Sequence, residues 1–200
     1  MSSLLQAYRS AMITRPLLTS CSTAAILYST GDILAQQAID KRGLANHDVK
    51  RTLRLGFYGG FIFAPPMRQW LKLINMIQLS SPLKTVASRV IVDQTIAAPI
   101  ICVTFYTSMT VLEGHSLQEA NRRIQEKFWP TLQRAWGVFI PAQCINYSVI
   151  SLPFRLPFMN VVALFWSQFD CYLSYYSNGG SQILVADHEV IKPIGVSKRG

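Results

Sequence analysis

Charge is scarce in this chain, and acid is scarcer than base. Only 14% of the 200 residues are Asp, Glu, Lys or Arg, where a soluble domain carries about a quarter. Half the residues are hydrophobic, 11% are aromatic and the mean hydropathy is +0.24. This composition excludes an ordinary water-soluble domain and points to a membrane protein. Paired cysteines are lacking too: Cys21, Cys102, Cys144 and Cys171 lie far apart in apolar surroundings. With no Cys-x-x-Cys and no Cys/His spacing, neither a zinc site nor a disulfide framework is expected.

Catalytic signatures are equally sparse. There is no Gly-x-x-x-x-Gly-Lys, no His-Glu-x-x-His and no Gly-x-Ser-x-Gly. The three histidines, His47, His115 and His188, have no neighbouring nucleophile or carboxylate pattern, so neither an enzyme nor a cofactor is expected. The net charge of +9 could suggest nucleic acid. Its basic residues instead gather in clusters between apolar stretches, as loop charges beside membrane spans do. Nucleic acid is therefore not an expected partner.

Five apolar segments are present, at about 17–39, 54–78, 87–112, 128–151 and 157–176. Each is long enough to span a bilayer. The expected fold is an all-α integral membrane protein, a bundle of four to five transmembrane helices with Pro kinks and a C-terminal helical hairpin. Its turn is expected at residues 152–156, and a polar tail at 179–200 follows the single domain of 1–178. With five spans, eleven basic residues fall on one side and five on the other. If one of the last two helices lies flat, that bias nearly vanishes, so orientation stays open. The first sixteen residues hold Arg9 and Arg15 and no acid; they suit a mitochondrial targeting segment or a basic amphipathic lead-in equally.

Within the spans, polar residues recur at helical spacing. The first carries Ser29, Asp32 and Gln36; the second Arg68, Lys72 and Asn75; the third Arg89 and Asp93. The fourth carries Gln133, Gln143, Asn146 and Tyr147 with Trp136, and the fifth Asn160, Ser167, Asp170 and Ser174. An intramembrane charge costs about 2.5–3.5 kcal/mol on the insertion scale, so partners or water are expected. Two readings stand open: a hydrophilic pathway with Asp32, Asp93 and Asp170 setting its field, or polar contacts joining the helices. Gly56 and Gly60 form a Gly-x-x-x-Gly that permits close helix approach and possible homo-oligomerisation. Pro65, Pro66, Pro99 and Pro141 are expected to kink their helices.

The motifs also form an ordered series. It runs Gly31-Asp32-x-x-Ala35-Gln36, Lys50-Arg51-Thr52-x-Arg54, Tyr58-Gly59 and Pro65-x-x-Arg68-x-Trp70. Arg89-x-x-x-Asp93-Gln94, Ala98-Pro99, Trp129-Pro130-x-x-Gln133, Asn146-Tyr147, Arg155, Asn160-Val161-Val162 and Phe165-Trp166 follow. The series resembles the Mpv-seventeen family, which includes the twenty-two-kilodalton peroxisomal membrane protein, over residues 4–178. That resemblance implies a multi-span channel or pore for small solutes or ions. It also implies residence in the mitochondrial inner membrane, or alternatively the peroxisomal membrane, and a role in metabolite balance and stress tolerance. The alternative is a non-conducting scaffold that organises lipids or partner proteins.

Overall fold

The computed structural model describes the backbone of residues 3–177 and the side chains of residues 6–166 except residue 39. Asp170, Ser167 and Ser174 therefore lie outside the described side chains, as the 179–200 tail lies outside the described backbone. Every described element is helical. A short α1 (Ser3–Thr14) precedes α2 (Pro16–Leu34), which runs into a π turn, Ala35–Ile39. After a single 3-10 turn, α3 (Val49–Phe57) passes through the π turn Tyr58–Phe63 into α4 (Ala64–Asn75). Helix α5 (Pro82–Val92) passes likewise through Asp93–Ala97 into α6 (Ala98–Leu112). Helices α7 (Leu117–Ser148) and α8 (Leu152–Ser177) complete the chain.

The five long helical runs cover the five apolar segments, with shifted ends. The last turn comes earlier than expected, because Pro153 and its neighbours start α8 instead of breaking the chain. A proline in the first turn of a helix lacks only an N–H that has no helical partner there. Ser116 caps α7 by accepting from the Glu119 N–H at 3.3 Å, which carries the helix well ahead of residue 128. Gly114, at φ +88°, ends α6.

The π turns explain how prolines enter these helices. Pro99 cannot donate, and its ring would collide with the carbonyl of Thr95 in a regular helix. Across Asp93–Ala97 the Ala98 N–H bonds instead to Asp93 O, five residues back, and the ladder loosens before the proline. The Ala64 N–H does the same to Gly59 O ahead of Pro65 and Pro66. Pro130 and Pro141 sit inside α7 itself.

Packing is inverted relative to a water-soluble bundle. The largest fully buried side chains are Tyr58, Gln36, Asn146, Asn160, Thr110 and Ser20, mostly polar. Leu53, Phe57 and Phe61 form an outward stripe on α3 and its π turn, with Phe61 70% exposed. Exposed apolar surface of this extent needs an apolar surrounding. The run Pro82–Leu112 is long and apolar enough to cross a membrane by length and composition. The remaining runs do not meet that test among the described residues.

Alternate helices run antiparallel. Asp32 meets Thr52 and Ser20 meets Arg68 across α2 and α3–α4. Asp93 meets Gln143, and Tyr106 meets Thr131, across α5–α6 and α7. One end of the bundle thus carries the 40–48 and 113–116 connections. The other carries the 76–81 and 149–151 turns. Helix α1 folds back along α2, with Tyr8 Oη 3.2 Å from Thr23 Oγ1 and its ring 6.2 Å from that of Phe154.

Candidate functional site: two buried carboxylate clusters

Two buried aspartates organise the polar interior. Asp32 projects from the last turn of α2 toward α3. Arg51 Nε lies 2.7 Å from Asp32 Oδ1, in an ion pair, while Thr52 Oγ1 and Gln36 Nε2 donate to Oδ2 at 2.6 and 2.7 Å. Gln36 in turn accepts from the Asp48 N–H at 2.7 Å, stitching α2 to the start of α3. His47 Nε2 lies 3.0 Å from Thr52 Oγ1, and Arg51 Nη1 reaches Asp40 Oδ2 at 3.2 Å. Asp48 caps α3 through the Arg51 N–H at 3.0 Å. That hydrogen bond, aided by the nearby arginines and opposed by burial, holds the Asp48 carboxyl below its ordinary range.

This cluster rests on close helix approach. A Cβ on Gly60 would lie 3.0 Å from Ala25 Cβ and 3.1 Å from Cys21 O, and one on Gly56 would strike Ser29 Oγ. The Gly-x-x-x-Gly face expected to serve an oligomer is therefore occupied within the chain, by α2. Ala25 and Ser29 of the first polar stripe are the ridge that it receives.

Asp93 is held differently. It opens the π turn between α5 and α6, where the looser winding buries both Asp93 and Gln94. Trp70 Nε1 and Tyr147 Oη donate to Oδ1 at 2.8 and 3.1 Å; Gln143 and Gln94 Nε2 donate to Oδ2 at 2.7 and 2.9 Å. Asn146 Nδ2 supports Gln143 Oε1 at 2.8 Å. Four donors saturate a carboxylate in its acceptor-only, ionised form. None of the four is a cation.

Several expected residues stand elsewhere. Arg89, four residues before Asp93, turns away and donates to Ile77 O at 3.1 and 2.9 Å and to Asn75 O at 3.0 Å. It satisfies carbonyls at the end of α4, where a cation suits the helix dipole, and does not oppose Asp93. Gln133 is exposed on α7 and joins neither cluster. At 100° per residue it lies about 80° around the helix from Gln143, so the stripe drawn through both overshoots the inner face. Lys72 is exposed and Arg68 half-buried, donating to Ser20 Oγ at 3.2 Å. Both lie apart from the aspartates.

Conversely, Arg51, Thr52, Trp70, Gln94 and Arg155 belong to the interior. Arg51 reads in sequence as a loop charge, because only the tertiary fold brings it to Asp32. Arg155 stacks over the Tyr147 ring, 5.3 Å from its centroid, and donates to Asn75 Oδ1 at 3.0 Å. Trp70 and Gln94 stand in the ordered motifs, the only sequence signal that marks them.

Relatives share this set over nearly the full chain. The Protein SYM1 of Gibberella zeae is 40% identical over 180 residues, covering 89% of this chain and 99% of that protein. The Protein SYM1 of Saccharomyces cerevisiae is 35% identical over 178 residues, covering 86% and 89%. The sequence pattern of the Mpv17 / PMP22 family matches residues 110–174. The chain belongs to the Mpv17 / PMP22 family. Membership makes it a protein of an organelle membrane, in agreement with its inverted packing. The Protein sym-1 of Neurospora crassa, 38% identical over 170 residues, covers 84% of this Mpv17 / PMP22 chain. No solved structure matches it.

Proposed function

We propose that this protein is a multi-pass, non-enzymatic pore for small solutes or ions, held shut in the described conformation, with Asp93 at its constriction. The supporting observation is the Asp93 carboxylate, buried at the meeting of α4, α5–α6 and α7 without a cation partner among the described residues. A structural ion pair would cancel its charge; neutral donors leave the field in place, where a permeating cation or polar solute can use it. Gln94 Oε1, Asn146 Oδ1 and both polar atoms of the Asn160 side chain are buried without protein partners. These are spare hydrogen-bonding positions for water or solute. Pro99 and the π turn beside Asp93 supply a joint at which α5 and α6 can reorient. The residence favoured is the mitochondrial inner membrane.

The second reading is a scaffold with no conduction, favoured by the Asp32 cluster, whose ion pair and hydrogen bonds join helices and leave its carboxylate fully engaged. Planar-bilayer recording separates the two. The wild-type protein conducts with a preference for cations, and Asp93→Asn lowers that preference while Gln133→Ala, on the outer surface, leaves it unchanged. Silent bilayers containing folded wild-type protein, or an unaltered preference in a folded Asp93→Asn variant, would overturn the pore.

A further inference from the structure

Charge is segregated along the bundle. Among the described residues, Asp32, Asp40, Asp48, Glu113, Glu119 and Glu126 stand at the end that holds the 40–48 and 113–116 connections, and each has a cation or a capped helix as its partner. The opposite end carries Arg15, Arg68, Lys72, Lys84, Arg89 and Arg155 and no described acid. Arg89 and Arg155 are spent on backbone carbonyls and on Asn75. Arg68 and Lys72 are not.

These two cations lie one turn apart on the same face of α4, a like-charged spacing that disfavours the helix unless an anion bridges it. Arg68 makes a single hydrogen bond, to a serine, and neither residue has an ion-pair partner among the described residues. Both line a pocket of about 100 Å³ between α1, α4 and α8. Its remaining wall is apolar: Met12, Leu71, Leu152, Pro153 and Leu156. A site with two cations at one edge and aliphatic walls suits an amphiphile with an anionic head. The volume admits a tetrahedral oxyanion in place of several waters.

We propose that this pocket binds the phosphate ester of an anionic phospholipid. Arg68 forks onto the phosphate oxygens, Lys72 supplies the second charge, and an acyl chain lies against Met12, Leu71 and Leu156. The shared chemistry is a phosphate anion, which a lipid headgroup or free phosphate could supply. The apolar walls, and the exposed Ile13 and Leu73 beside the pocket, favour the lipid. The site lies apart from Asp93, and the inference stands whether or not the protein conducts.

Native mass spectrometry of the full chain in detergent tests it, with phosphatidylglycerol and phosphatidylcholine of matched acyl chains as probes. The anionic lipid is retained over the zwitterionic one by about twenty-fivefold, from about fivefold per basic group. Arg68→Gln with Lys72→Gln removes that preference. Lys72 is exposed, so Lys72→Gln alone keeps the fold and loses about fivefold, which holds the test open if the double variant fails to fold. Equal retention of both lipids, or a preference that survives a folded double variant, overturns the site. Displacement of phosphatidylglycerol by equimolar inorganic phosphate overturns the lipid as its occupant.

Discussion

Replacing Arg51 by Met tests whether the Asp32 cluster is a clamp. The Asp32 side chain is fully buried and that of Arg51 is 11% exposed, so the 2.7 Å pair is shielded from water. Removing one partner of a buried pair costs about 3–5 kcal/mol, because the remaining charge stays desolvated. Thr52 and Gln36 still donate to Asp32, which puts the expected loss near the lower figure. A loss of about 3 kcal/mol multiplies the unfolded fraction by about a hundred. Asp32→Asn should cost less, about 1.5–3 kcal/mol for lost charge-assisted hydrogen bonds, since Arg51 keeps Asp40 at 3.2 Å. The double variant should cost less than the sum, with a coupling of at least about 1.5 kcal/mol. Reversible denaturation of detergent-solubilised protein, followed by circular dichroism, measures all three. A loss below about 1 kcal/mol for Arg51→Met, or a coupling indistinguishable from zero, would refute the clamp.

Two further perturbations bear on the scaffold around it. Gly60→Leu drives a branched side chain against Ala25 and the Cys21 carbonyl, and should cost about 1–3 kcal/mol by the same denaturation; a neutral result would mean that α2 and α3 are not in close contact. At the α6–α7 corner, hydrogen bonds from Arg122 and then Arg123 lower the Glu119 carboxyl to about 2. Its contribution is complete above the unfolded value near 4.5 and fades as pH falls from there toward 2. Amide exchange at residues 116–123, corrected for intrinsic rates, should therefore accelerate between about pH 4.5 and 3, and Glu119→Gln should abolish that dependence.

Much of this arrangement was legible in the residues. Segment length and apolarity gave the five helical runs, and the three-and-four spacing placed Asp32, Gln36, Asp93, Gln143, Asn146 and Tyr147 inside. Pairings were not legible. Arg89 lies four residues from Asp93, which in an unbroken helix makes them neighbours; instead the arginine serves a helix end that only folding brings near. Arg51 presented the opposite problem, a loop-like charge drawn inward because Asp32 awaits it across the α2–α3 contact. Gln133 shows that a 3.6-residue period drifts far enough over ten residues to put a stripe's end on the wrong face. The π turns escaped notice because their signal is indirect: adjacent polar residues, both destined for the interior, just ahead of a proline.

Those π turns have a consequence for how the chain tolerates change in length. Each holds one residue more than regular winding needs, so each long helix consists of two halves whose inward faces are indexed separately. Deleting Ile96, an exposed member of the Asp93–Ala97 turn, would let α5 and α6 fuse into one regular helix with no loss of helicity. Everything beyond it would turn by about 100°, carrying Cys102, Met109 and Thr110 out of the core. The helix would survive such a deletion intact, and the bundle would not.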